Sequence, residues 1–360
     1  MDVEKVGKAI AYLRKRAGYT QKELADRIGI SDKTVSKWER GQGLPEIGYL
    51  RKLSILLDTD SDSLLAGDVA HHKSEWVGVI VLDENPYGIG AGTVIYDKPL
   101  INFLLSYFML VGIRDITVAC HSPTDAEAIA AMLGSGNDYG IRLKTVVGGV
   151  KEVYKALKSS DRNNQFEDKT IMMVYGRCML YGVDQTRFFQ KAMLERSHFT
   201  MLVLPKKIKK SLVAVGIDKR VVKETHGNEK KLRTQYDFSE IPIVFFPAAE
   251  MKTVSEEGSI EAYIDSHKEK ESIFVEMLDR GFVEIEVDTW DNVHEASTFL
   301  KIVQDKCGMN VYCLEEVAWR RGMISLSKLR ELGERKKGTE YGDYVLGLYE
   351  RLSQRVIEEE

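Results

Sequence analysis

Cysteine is scarce in this 360-residue chain, and its four copies (Cys120, Cys178, Cys307, Cys313) follow no metal-ligand or disulfide-framework spacing. Cys307 and Cys313 are close enough in sequence to be read as a pair; the alternative is four isolated thiols. Long apolar runs are missing too. None approaches the ~18 residues of a membrane span, and the N-terminus lacks the charged-then-apolar pattern of a secretion signal. No internal repeat or low-complexity segment is present. These absences exclude a membrane partner, a disulfide-stapled fold and an evident cofactor, and they place the protein in the cytoplasm.

The hydrophobic and charged fractions are ordinary for a globular protein, and the length accommodates two or three domains. The net charge of −4 conceals an asymmetry. Residues 1–57 carry twelve Lys and Arg against seven Asp and Glu, a balance of +5 that leaves −9 for the remainder. A small basic head on an acidic body suits only the head to a polyanion.

From Glu4 to Leu65 apolar residues recur at spacings of three and four, a wholly helical pattern. The polar stretch Ala66–Glu75 has a glycine and no periodicity and reads as a linker; its pair His71 and His72 is either solvated or a metal-binding element. Val77–Leu82 is then a continuous apolar run of the kind buried in a parallel sheet. Asp115–Cys120, Ile141–Val147 and Thr170–Tyr175 read as further strands. Leu100–Val111, Ala126–Leu133 and Val153–Lys158 read as helices, and helical texture resumes near Val293. Alternating strands and helices predict a doubly wound α/β domain behind an all-α head. The expected boundaries are 1–67 for the head, 68–75 for the linker, 76–300 for the α/β body and 301–360 for a C-terminal helical segment.

Within the head, Thr20-Gln21-Lys22-Glu23 is a capping box opening a short helix through Ile28. Gly29 suits its left-handed end, and Ser31 caps the next helix, Asp32 to Arg40. Two short helices joined by a tight glycine turn are the geometry that sets the second into a major groove. That helix offers Asp32, Lys33, Thr34, Ser36 and Lys37. Gln21 and Lys22 start the preceding helix, and Arg14, Lys15, Arg16 and Arg40 add candidate phosphate contacts. Any one of these lysines also fits a merely solvated face.

Leu13-Arg14, Gly18–Ala25, Ile30-Ser31, Thr34–Gly41 and Pro45 together make residues 7–65 resemble the phage-repressor-like (XRE, Cro/CI-type) helix-turn-helix family. The resemblance implies a five-helix domain acting as a dimer on a palindromic double-stranded operator.

The body carries a second set of matches: Tyr96–Leu100, Gly112–Ile116, Leu133–Gly140, Arg280–Phe282, Glu295–Phe299 and Cys313–Gly322. Over about residues 76–350 these resemble glucose-1-phosphate thymidylyltransferase, which joins a sugar 1-phosphate to a nucleoside triphosphate. The resemblance implies a nucleotidyltransferase-like fold, and C-terminal helices that help build a homodimer or homotetramer. Leu326, Leu329, Leu332, Tyr344, Val345 and Leu348 either pack such an interface or cap their own domain.

The chemistry of that family rests on charge stabilisation at phosphorus, and its residues are altered here. The phosphate loop G-G-x-G-T-R-L becomes a stretch from Leu82 to Tyr96 with Asp83 and Glu84 and no Lys or Arg; Gly88, Gly90 and Gly92 remain. The metal-binding aspartate of G-D-N becomes Arg177 in Tyr175-Gly176-Arg177-Cys178. The second metal segment, L-D-T-G-T, becomes Ile285–Thr289, where Glu286 and Asp288 are weak metal candidates or a solvated strand end. The Q-P-S-P-D-G loop is replaced by Val147–Glu152, and the E-E-K-P sugar motif by a rough match at Lys223–His226. Loss of loop cations and a metal ligand predicts a pseudoenzyme. Arg177, with Gly88, Gly90 and Gly92, could instead hold the pyrophosphate of a nucleotide or nucleotide-sugar effector. The alternative is a bifunctional sugar-1-phosphate nucleotidyltransferase with an altered site; a third reading gives the head to protein contacts.

Overall fold

The computed structural model describes residues 2–16, 19–57, 59, 64, 65, 67, 76–161, 166–194, 198–205, 214–215, 221–222, 238–268, 272–279 and 281–358. They group into two compact units. One joins Met1–Glu75 with Asp138–Gly140 and Tyr312–Glu360; the other joins Trp76–Asn137 with Ile141–Val311. The expected linker at 68–75, with His71 and His72, lies outside the described residues.

The first unit begins with α1 (Val3–Arg16), α2 (Gln21–Ile28), α3 (Asp32–Glu39) and α4 (Ile47–Leu57). Where the fifth helix is expected, 58, 60–63 and 66 lie outside the described residues. Val6, Ile10, Leu13, Leu24, Ile28, Val35, Trp38, Leu53 and Leu57 form one core, to which Leu64 also belongs. They recur at the three- and four-residue spacing that puts one helix face inward. Helices α1 and α3 pack so closely that a Cβ on Gly7 would stand 2.3 Å from the Trp38 carbonyl oxygen.

The second unit runs β1 (Trp76–Leu82), α5 (Leu100–Leu110), β2 (Asp115–Cys120), α6 (Pro123–Leu133), β3 (Arg142–Val147), α7 (Val150–Ser160), β4 (Thr170–Tyr175) and β5 (Cys178–Tyr181). It continues through α8 (Gln185–Leu194), β6 (Phe199–Pro205), β7 (Phe238–Pro247), α9 (Met251–Glu257), α10 (Ile260–Lys268), β8 (Ile273–Met277), β9 (Val283–Glu286) and α11 (Trp290–Cys307). Seven strands form one sheet in the order β8-β6-β7-β4-β1-β2-β3. The sheet is mixed: β7 is antiparallel to both neighbours, and the other pairings are parallel. Strands β6, β7 and β8 went unread in the sequence. Helix α5 is buried continuously from Leu100 to Met109, as an all-round apolar helix must be. On one face of the sheet, Val79, Val81, Ile171, Met173, Val244 and Phe246 pack with Val153, Met251, Val254 and Ile264 of the covering helices.

Parallel strands β1 and β4 end side by side, and the Gly176 amide donates to the Val81 carbonyl at 3.0 Å. Strand β5 pairs antiparallel with β9, setting Cys178 opposite Glu286. The loop after β1, the Gly176–Arg177 corner and the segment after β9 thus converge at the carboxyl edge, where open α/β sheets place ligands.

The C-terminal helices α12 (Leu314–Arg320), α13 (Leu326–Arg335) and α14 (Glu340–Glu358) complete the first unit. Leu329, Leu332, Val345 and Leu348 are buried within it, so these four cap their own helices rather than a subunit interface. Tyr344 donates from its hydroxyl to Glu316 at 2.6 Å. The fully buried Glu315 accepts from Lys336 at 2.7 Å and Tyr341 at 2.5 Å, which supplies the partners a buried carboxylate requires. None of the four cysteines is in a disulfide; Cys307 is exposed and the other three are buried, so no bond joins Cys307 to Cys313. Among the described residues, no helix is long and apolar enough to cross a membrane.

Candidate functional site

The two chemistry-bearing regions read from the sequence have opposite geometry. In the head, Thr20 and Glu23 close the capping box reciprocally. The Glu23 amide donates to Thr20 Oγ1 at 3.1 Å, and the Thr20 amide donates to Glu23 Oε2 at 2.7 Å. The bond from the Thr20 amide, with that of its side chain, holds the Glu23 carboxyl below its ordinary range. Gly29 adopts φ 82°, so the chain turns sharply before Ser31 Oγ accepts from the Thr34 amide at 3.2 Å and starts α3.

Lys22, Asp32, Lys33, Lys37 and Arg40 are all exposed, with Gln21, Thr34 and Ser36 half-buried beside them. Arg40 donates from Nε to the Ser36 carbonyl at 3.2 Å. The Lys33 amide donates to Asp32 Oδ1 at 2.8 Å. The first turn of α2 and the outer face of α3 therefore present basic and hydrogen-bonding side chains on a capped framework.

Arg14 is corrected. It is only 7% exposed, and its guanidinium donates to Glu39 Oε1 (2.5 Å) and Oε2 (3.0 Å) and to the Tyr19 carbonyl (2.6 Å). A guanidinium enclosed by helices must find acceptors inside, and this one uses three bonds on them instead of a phosphate. Gln21 donates from Nε2 to the same Glu39 carboxylate at 2.7 Å. Glu39, which the sequence marks only as a member of the Thr34–Gly41 match, thereby ties α1, α2 and α3 together. The Arg16 side chain lies outside the described residues.

In the body the structure brings together Gly88, Gly90, Arg177, Glu286 and Asp288, but the loop is closed upon itself. Asn85 Oδ1 accepts from the amides of Tyr87 (2.9 Å) and Ile89 (3.2 Å), and its carbonyl accepts from Gly88 (3.0 Å). The Gly90 amide donates to Thr93 Oγ1 at 3.0 Å. Four successive amides that a phosphate cradle would turn outward are thus satisfied internally. Gly88 serves the turn itself, with φ 71°. Gly90 gives room to Asp125, whose Oδ1 would lie 2.8 Å from a Cβ there. Gly92 is exposed near Met132.

The loop is also fastened from outside. Asn85 Nδ2 donates to the Asp288 carbonyl at 2.8 Å, and the Trp290 indole donates to the Tyr87 carbonyl at 3.2 Å. Arg177 donates from Nε to the Ile89 carbonyl at 2.7 Å and from Nη2 to the Asp83 carbonyl. Burial lowers the pKa of this guanidinium, while Asp83, Asp125 and Asp288 act to raise it. The Nε–Nη2 edge that would grip a pyrophosphate side-on is therefore engaged as a strut, which corrects its expected role as an anion ligand. An anion here would also face those three carboxylates.

Nor do these residues fit a divalent cation. A guanidinium stands at the first position where the resemblance expects a metal-binding aspartate, and Asp288 uses Oδ1 to accept from Asn292 Nδ2 at 2.5 Å. Among the described residues no group of three or more His, Cys, Asp and Glu could hold a metal. Lys98, within the Tyr96–Leu100 match, is buried and donates to Asp97 (2.5 Å) and Gln304 (3.0 Å), a structural role. The sugar-motif match at Lys223–His226 lies outside the described residues.

Comparison with known proteins bears on both regions. Residues 10–64 match the family model described as helix-turn-helix. The chain is 29% identical over 269 residues to the glucose-1-phosphate thymidylyltransferase of Neisseria meningitidis serogroup A / serotype 4A, covering 71% of this chain and 91% of that one. It is 28% identical over 266 residues to that of Neisseria gonorrhoeae, covering 71% and 90%. A crystal structure of a Bacillus anthracis protein assigned as a glucose-1-phosphate thymidylyltransferase, in complex with a sucrose, superposes with a TM-score of 0.48 at 10% identity. It covers 62% of this chain and 94% of that one, too loose a match to carry weight. The chain thus carries an XRE-type helix-turn-helix segment, followed by a region homologous to these enzymes. The first supports a DNA-binding regulator; the second supports a nucleotidyltransferase-like domain.

Proposed function

We propose that this protein is a sequence-specific transcription regulator whose nucleotidyltransferase-like body has lost catalysis and serves to assemble subunits. The observation that carries the reading is the contrast between an exposed basic face on α3 and a phosphate loop whose amides are consumed internally. Lys22, Lys33, Lys37 and Arg40 supply charge for backbone phosphates, and Asp32, Thr34 and Ser36 lie where base edges would be read. Pairing of bodies into a homodimer or homotetramer would bring two heads to the half-sites of a palindromic operator, about one helical turn apart or a multiple of it. The head is taken as 1–67, and the body, expected to end at 300, is taken through α11, whose residues Trp290–Cys307 belong to the second unit. The C-terminal helices, expected to be a separate oligomerising segment at 301–360, are taken instead as partners of the head.

The phosphate-handling parts give no support to turnover. Losing one preorganised stabilising contact costs ~10²–10³ in rate, and here the loop donors, loop cations and a metal ligand are altered together. A nucleotide or nucleotide-sugar effector would have to displace the Arg177 strut, so it forms no part of this reading.

The test is selection of bound duplexes from random sequence, followed by gel shift at several salt concentrations. Recovery of a palindromic motif with salt-dependent affinity supports the reading. Absence of any duplex binding at low salt sinks it. In parallel, the purified protein with nucleoside triphosphate and sugar 1-phosphate is expected to release no pyrophosphate; release would establish the bifunctional enzyme.

A further inference from the structure

Several polar groups of α3 already have partners inside the head. Ser31 Oγ accepts from the Thr34 amide at 3.2 Å and shares a hydrogen bond with Thr34 Oγ1 at 2.9 Å. Glu39, one of the helix's two acids, accepts from Arg14 at 2.5 and 3.0 Å and from Gln21 at 2.7 Å. Asp32, the other, is differently placed. Its side chain is exposed, and Oδ1 accepts from the Lys33 amide at 2.8 Å. Among the described residues it forms no ion pair, although Lys33 and Lys37 stand on the same helix.

A carboxylate so placed works against the cations around it. Lys22, Lys33, Lys37 and Arg40 are exposed and attract phosphate, and a negative charge in their midst subtracts from that attraction. The cost is offset only where a donor meets the carboxylate. In a major groove the donors are the amino groups of cytosine N4 and adenine N6, whereas guanine and thymine offer acceptors. Adenine N6 lies between two acceptors, its own N7 and O4 of the paired thymine. Cytosine N4 has such a neighbour on one side only, guanine O6. A group that accepts and cannot donate is therefore best satisfied at cytosine.

We infer that Asp32 is a specificity-determining residue that accepts from the N4 amino group of a cytosine in the bound site. The same carboxylate is repelled by N7, O6 or O4 when another base pair takes that position, so it discriminates by attraction and by rejection. This rests on the DNA-binding reading above. Asp32 also stands in the first turn of α3, where a negative charge favours the helix dipole. That structural role would affect every duplex alike, which separates it from base reading.

The experiment selects duplexes from random sequence with the full chain as wild type, Asp32→Ala and Asp32→Asn. Affinity is then measured for the wild-type site, for that site with each C·G pair reversed in turn, and for a scrambled duplex. Wild type should require a C·G pair whose reversal costs about fivefold to a hundredfold. Asp32→Ala should lose that requirement and bind the scrambled duplex more tightly, because a charge opposed to phosphate is gone. Asp32→Asn should shift the preference at the same position towards adenine, whose N6 and N7 an amide meets together. Equal weakening by Asp32→Ala on every duplex would overturn the assignment. So would a wild-type site with no C·G requirement, or the same base preference in all three proteins. No binding of any duplex by wild type would sink the DNA reading itself, a result distinct from binding with an unchanged preference.

Discussion

The turn between α2 and α3 and the loop after β1 are both glycine-marked connections beside positions that the sequence relates to phosphate, yet they treat donors oppositely. In the head, Thr20 and Ser31 satisfy the helix starts with side-chain oxygens, and the cations Lys22, Lys33, Lys37 and Arg40 stay exposed. In the body, Asn85 and Thr93 absorb four amides, and the cation Arg177 is engaged by two carbonyls. Glycine content therefore says little about phosphate binding. What matters is whether the donors around it already have partners.

The contrast can be broken most severely at Glu39. Glu39→Ala leaves the buried Arg14 charge without its partner and should destabilise the head by about 3–5 kcal/mol. Thermal melts should register the loss, and DNA binding should fail with it. Lys33→Ala and Lys37→Ala leave the fold intact, since both side chains are exposed. Each should cost about 1–3 kcal/mol in operator affinity if it reads a base. If it meets phosphate instead, it should reduce the salt slope by about one. Gel shifts across a salt series distinguish the two, and unchanged affinity in both variants would remove α3 from the interface.

On the other side, Arg177→Ala removes charge-assisted bonds to Asp83 and Ile89 and should destabilise the body by about 1.5–3 kcal/mol. Denaturant melts measure that loss. Calorimetry with nucleotide-sugars should give no heat for wild type, and binding there would show that the strut yields to an anion.

The smallest effect concerns pH. Glu23 has its pKa depressed in the folded head, so its contribution is present above the unfolded carboxylate value and fades as pH falls through the folded one. Glu23→Gln should therefore flatten the acid limb of the head's stability curve. An identical limb in both proteins would show that the capping box carries no charge-dependent stability.

Much of the fold was legible because local chemistry fixed it. The strands Asp115–Cys120 and Thr170–Tyr175 are apolar runs with the read boundaries, and Thr20, Gly29 and Ser31 mark helix ends by side-chain size and oxygen placement. Strand Phe238–Pro247 escaped notice, and its antiparallel direction depends on pairing with Thr170–Tyr175 and Phe199–Pro205, neither adjacent in sequence. The candidate sites divide the same way. Exposed Lys33 and Lys37 follow from helical periodicity. The enclosure of Arg14 depends on Glu39, 25 residues away, and the employment of Arg177 depends on carbonyls 88 and 94 residues away.

The amino-acid order alone determined that a basic helical head precedes an acidic α/β body, because charge balance and hydrophobic period are properties of neighbouring residues. Only the tertiary structure decided which charged and polar groups keep their bonding capacity for a partner. Hydrogen bonds reach a few ångströms through space, and their acceptors came from distant parts of the chain: Glu39 for Arg14, Ile89 for Arg177, Gly322 for Tyr19.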